Sequence, residues 1–115
     1  MGGSIPLAIG GYLAGHRNPW AVTGDFSFIA AGHLGLVEAS QRGIPLRIII
    51  LNNGMAETTG GQLIPEGALE PLLSGYKKYT RYIDNPRDDE MIKTTLIEAR
   101  DSDEMRIIIA NYKQK

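Results

Sequence analysis

The sequence contains no cysteine. Disulfides, thiolate zinc sites, a cysteine nucleophile and a cysteine-ligated iron–sulfur cluster are therefore all excluded on this chain, and any redox centre that serves it must sit elsewhere. Long apolar runs are missing as well. The longest centres on Ile48 to Leu51, far too short to cross a bilayer, and the N-terminus lacks the basic stretch and apolar core of a signal peptide. These absences predict a cytoplasmic protein. Excess charge of either sign is also lacking: the formal net charge is −1, with 22% charged and 43% hydrophobic residues, so composition gives no electrostatic case for nucleic acid or an acidic membrane surface. Histidine is scarce, with only His16 and His33.

The 115 residues suffice for one domain with one core, but are few for a complete enzyme, so the chain is expected to work with others. Gly2 to Gly15 is built from small and aliphatic residues and reads as a helix packed tightly on neighbours. Trp20 to Thr23 reads as a short strand ending at Gly24-Asp25. Leu34, Leu36, Val37 and Ala39, closed by Gly43, predict a helix over 31–42. Leu46 to Leu51 is a β-branched run suited to a strand covered on both faces, and it delivers Asn52-Asn53-Gly54 to its C-terminal end. After a Gly/Thr/Pro-rich loop, a helix is expected over 65–76 and a strand over 79–83. Pro86 should open another helix, with Asp88, Asp89 and Glu90 complementing its N-terminal dipole, before a last strand over 105–110 and a polar tail from Asn111. This alternation predicts an α/β fold, a doubly wound and mostly parallel sheet with helices on both faces, whose ligands bind beyond the C-terminal ends of the strands.

Asp25 and Asn53 both fall at such strand ends. Magnesium takes about six hard oxygen ligands, usually only a few of them from protein. Asp25 offers a carboxylate and Asn53 an amide oxygen, while Gly54 lets the chain turn so that the main-chain carbonyl of Met55 also faces the ion. The N–H groups of Phe26 and Ser27 suit diphosphate oxygens.

Gly24-Asp25 at one strand end, followed about one crossover later by Asn52-Asn53, resembles the GDG…NN motif of thiamine-diphosphate enzymes, and Met1-Gly2-Gly3-Ser4 resembles their Met-Gly-x-Ser segment. The resemblance implies a thiamine-diphosphate-binding fold over 1–115. It implies metal ligation by Asp25, Asn53 and the carbonyl of Met55, and cofactor contacts from Met1, Gly2, Gly24, Asp25, Phe26, Ser27, Asn53, Met55 and Ala56. Phe26 departs from the commoner glycine. That position varies in the 2-oxoacid:ferredoxin oxidoreductases of indolepyruvate type, which the chain most resembles in Phe28, Gly32 and Gly35-Leu36 after Gly24-Asp25, in the spacing from Asp25 to Asn53, and in Thr59-Gly60-Gly61-Gln62.

That branch implies oxidative decarboxylation of a 2-oxo acid with thiamine diphosphate and Mg²⁺, iron–sulfur clusters on other domains or chains, and ferredoxin as electron acceptor. The phosphonopyruvate and sulfopyruvate decarboxylases share the Asn-Asn-Gly and Gly-Gly-Gln elements and stand as the alternative, beside a non-catalytic assembly domain that keeps the fold. No catalytic residue is assigned, because the family's activating glutamate lies on a separate pyrimidine-binding domain. The strand that precedes Met-Gly-x-Ser in the family is not in this sequence. A fragment or short subunit is therefore expected, partnered by a pyrimidine-binding domain and assembled as a homo- or hetero-oligomer. Neither histidine matches a family residue. Glu57 reads as a solvated loop carboxylate, Thr58, Thr59 and Gln62 remain open between ligand contacts and internal loop bonds, and Lys77, Lys78 and Arg81 read as a solvated face.

Overall fold

A computed structural model describes residues 4–15, 19–52, 55–56, 62–63 and 69–111. Helix α1 spans Ser4–Leu13 and leads into strand β1, Trp20–Gly24. The chain turns helical at once, as α2 (Asp25–Ser27), a π-helical turn (Phe28–Gly32) and α3 (His33–Arg42), and then enters β2, Arg47–Asn52. Two short strands, β3 (Met55–Ala56) and β4 (Gln62–Leu63), pair antiparallel. Helix α4 (Leu69–Leu73) and a 3₁₀ segment (Ser74–Tyr79) precede β5 (Thr80–Ile83), α5 (Asp89–Asp101) and β6 (Arg106–Asn111).

The main sheet has four parallel strands in the order β1-β2-β6-β5. Its isoleucine runs explain why. Strands buried on both faces need apolar residues at successive positions, and alternate ones divide here between two cores. Ile48, Ile50, Ile107 and Ile109 face a large cluster with Ile5, Ala8 and Ile9 of α1, Phe28, Leu36 and Ala39, and Leu69 and Leu73 of α4. Ile108 and Ile83 face the other way, toward Ala99, Ile92 and Leu96 of α5.

Local signals set the helix ends. Asp88 caps α5 by accepting from the Met91 N–H at 3.0 Å, so the helix starts after Pro86 and Arg87, which form a turn rather than its first residues. Gly43, at φ 67°, closes α3 in the left-handed conformation, and the Ile44 N–H reaches back to the Ala39 carbonyl at 2.9 Å.

The helix expected over 31–42 begins six residues earlier, since Asp25 is already helical. Phe28, fully buried, anchors that early turn, and the small residues Ala30, Ala31 and Gly32 allow the wider π turn that follows. The polar tail expected from Asn111 also changes, because Asn111 completes β6 opposite Asn52. Among the described residues no helix is long and apolar enough to cross a membrane.

Candidate functional site

β1 ends on Gly24 in extended conformation (φ −78°, ψ 159°), and the next residue, Asp25, opens the helical stretch. The carboxylate thus sits at the C-terminal end of a parallel strand and in the first turn of a helix, where the helix dipole favours negative charge. Asp25 is only 1% exposed. A buried carboxylate requires compensating partners, and Asp25 does interact within the chain. The backbone N–H groups of Phe26 and Ser27 belong to the same first turn, whose leading donors have no acceptor within the helix.

The Asp25–Ser27 turn packs against β3 and against β2, with Cα–Cα approaches within 8 Å. Asp25 is thereby brought beside the segment that carries Met55 and Ala56. Their backbone is held by pairing with Leu63 and Gln62. Asn52, at the end of β2, belongs to the same crest of the sheet. Met1, Gly2 and Asn53 lie outside the described residues, as do His16, Glu57, Thr58 and Thr59. Among the described residues no group of three His, Cys, Asp or Glu is placed to hold a metal. A ligand set of one carboxylate, one amide and one main-chain carbonyl would not form such a group.

His33 stands edge-on to Phe28, with ring centroids 6.3 Å apart and an interplanar angle of 65°, so it packs on the buried anchor of the π turn. Of the Lys77, Lys78 and Arg81 cluster, Lys78 and Arg81 pair locally. The Lys78 ammonium lies 4.8 Å from the Tyr79 ring centre, and hydrogen bonding to Tyr79 raises its pKa; Arg81 meets Glu98 at 3.3 Å.

Sequence reasoning missed two features near the strand ends. Asn111 hydrogen-bonds Asn52 and Asp84 across the crest. Extending the alternation Ile107, Ile109 by one step would have placed Asn111 on the Asn52 side of the sheet. At the opposite end, Arg47, only 3% exposed, donates to the carbonyls of Ala99 (3.1 Å), Arg100 (3.3 Å) and Ser102, capping α5, and to Pro45 at 2.8 Å. Its position within an apolar run concealed this role.

Residues 1–108 match the family described as thiamine pyrophosphate enzyme, C-terminal TPP binding domain. The chain belongs to that family. Among solved structures, it is similar to the thiamine diphosphate-dependent 4-hydroxybenzoylformate decarboxylase of Rhodococcus jostii RHA1, with 26% identity and a TM-score of 0.68. That alignment covers 100% of this chain, which spans 23% of the enzyme's chain. No curated protein matches the chain. The fold and the family together define a thiamine-diphosphate-binding domain of a thiamine-diphosphate-dependent enzyme.

Proposed function

We propose that this chain holds Mg²⁺ and the diphosphate of thiamine diphosphate within an enzyme that decarboxylates a 2-oxo acid. The observation that carries the reading is the buried Asp25, set in the first helical turn after β1 and packed beside Met55–Ala56 and β2. This donor set fits the group: one carboxylate suits a hard divalent ion, and N–H groups in the first turn of a helix suit phosphate oxygens. Asp25, the Asn53 amide oxygen and the Met55 carbonyl would hold the ion. The N–H groups of Phe26 and Ser27 would meet the diphosphate, with Met1, Gly2, Gly24 and Ala56 lining the cofactor. When bound, thiamine diphosphate supplies the electron sink for breaking the bond to the departing carboxylate. The chain's own part is to bind, orient and balance charge.

Activity requires a pyrimidine-binding domain or subunit, which makes the chain a single domain of a larger cytoplasmic oligomer. Phe28, Gly32 and Gly35-Leu36, the spacing from Asp25 to Asn53, and Thr59-Gly60-Gly61-Gln62 favour the oxidative branch, with iron–sulfur clusters on other domains or chains and ferredoxin as acceptor. The second reading, non-oxidative decarboxylation, is favoured by the similarity to the Rhodococcus 4-hydroxybenzoylformate decarboxylase. Supplying the pyrimidine-binding partner separates them: coenzyme A-dependent reduction of a one-electron acceptor marks the first, and aldehyde release without acceptor marks the second.

The core of the proposal is tested by titration calorimetry of the chain with thiamine diphosphate, with Mg²⁺ and with EDTA. Two negative groups about 4 Å apart repel by roughly 4 kcal/mol at an effective dielectric constant near 20. Binding should therefore be lost in EDTA. Equal affinity in both conditions would remove the metal bridge.

A further inference from the structure

At the C-terminal edge of the sheet, three polar side chains from successive strands stand in one row. Asn52 ends β2 and is the register partner of Asn111, which ends β6; Asp84 follows Ile83, whose partner in β6 is Ala110. The Asn52 Nδ2 donates to the Asn111 Oδ1 at 2.6 Å, and the Asn111 Nδ2 donates to the Asp84 Oδ1 at 2.7 Å. An ionised aspartate only accepts. Asn111 must therefore turn its amide nitrogen toward Asp84, which presents its oxygen to Asn52. Asn52 must in turn present its own nitrogen, with its oxygen directed away from Asn111. One carboxylate thus fixes the orientation of two carboxamides in sequence.

Charge adds to this. A hydrogen bond to a carboxylate is about twice as strong as one between neutral groups. The row also ties together three strands at the point where β2 hands the chain to Asn53.

We propose that Asp84, Asn111 and Asn52 form a positioning ladder that locks the end of β2 and sets the entry of Asn53 into the cofactor site. None of the three is a catalytic residue. Their action on cofactor passes through the backbone at Asn53, so this inference rests on the functional reading above. Groups that orient metal ligands from behind change metal affinity on the order of 10- to 100-fold when removed. The ladder is partly exposed, so a smaller effect of about 3- to 10-fold is expected.

The test uses the full chain and the variants Asp84→Ala, Asn111→Leu and Asp84→Asn, which retains an acceptor. Amide hydrogen exchange without cofactor is followed at Asn52 and Asn53, with β1 as internal control. Calorimetry with Mg²⁺ and thiamine diphosphate is run well below the melting temperature. Asp84→Ala and Asn111→Leu should speed exchange at Asn52 and Asn53 selectively and weaken cofactor binding about 3- to 10-fold. Asp84→Asn, which keeps an acceptor but neither the charge nor the fixed polarity of a carboxylate, should fall between the parent and Asp84→Ala. Exchange that is unchanged, or equally faster in β1, overturns the ladder whether or not the chain binds cofactor. Selective exchange with unchanged affinity overturns its link to the site. If the parent chain itself binds no cofactor, the functional reading fails, and the exchange data still decide the ladder.

Discussion

The two faces of the main sheet are built to different standards. One is covered by α1, the π turn, α3 and α4, and its core takes in Ile5, Phe28, Leu36, Ile48, Ile50 and Ile107, each almost entirely buried. Among the described residues, the other is covered by α5 alone. Among the described residues, the buried apolar side chains there are Ile83, Ala99 and Ile108, Trp20 and Ile49 are half-buried, and Val22 and Leu51 are 52% and 36% exposed. The candidate site belongs to the first face, because Asp25 opens the helical stretch whose next turn carries Phe28. The architecture thus places the site on the better-packed side, where a rigid scaffold can hold a buried charge. The second face is where apolar surface remains open.

That contrast can be broken by mutation. The largest effect is expected for Phe28→Ala, which removes a fully buried aromatic ring beneath the π turn and should cost about 3–5 kcal/mol. It should also loosen Asp25, so chemical denaturation and cofactor titration should both register it. Next comes Arg47→Met. The replacement fills similar space but leaves the carbonyls of Ala99, Arg100 and Ser102 at the end of α5 without their donor, at a cost of roughly 1–3 kcal/mol. Because α5 serves the second face, cofactor affinity measured below the unfolding transition should stay the same. The smallest effect is expected for Val22→Thr, within about 0.5 kcal/mol by denaturant midpoint, since that side chain is more than half in water. A loss there as large as that of Phe28→Ala would show that the two faces are equally packed.

The sequence was most readable where one physical demand dominated. The β-branched run Leu46 to Leu51 was of the kind found in a strand covered on both sides, and it appears as β2, with Asn52 at its end. Asp88, Asp89 and Glu90 marked the start of α5, and Gly43 the end of α3. The early start of the helical stretch at Asp25 was hidden because Gly24-Asp25 reads as a strand end and a turn; the burial of Phe28 holds the helical turn that follows. Arg47 was hidden for a related reason. Its partners lie some 50 residues away, at the end of α5, and no local pattern announces a cap supplied from a neighbouring strand. Asn111 looked like the start of a tail because apolar alternation stops there, although the strand register continues one residue further. Of the candidate site, the family motif pointed to Asp25 and to the Met55–Ala56 segment, and the structure brings these two together. The ladder behind Asn52 depends on strand order, which no reading along the chain supplies.

The central claim is that Asp25 carries the charge that balances the metal, whereas Asn53 contributes a neutral oxygen that water can partly replace. The direct measurement is calorimetric titration of thiamine diphosphate with Mg²⁺ into the parent chain, Asp25→Ala and Asn53→Ala, alongside thermal melts without cofactor. Asp25→Ala should abolish detectable binding while the cofactor-free chain stays folded, because a side chain kept for ligand binding can be lost at little cost to the fold. Asn53→Ala should weaken binding without abolishing it. If Asp25→Ala instead unfolds the cofactor-free chain, Asp25 is a structural cap and the account of the site is wrong.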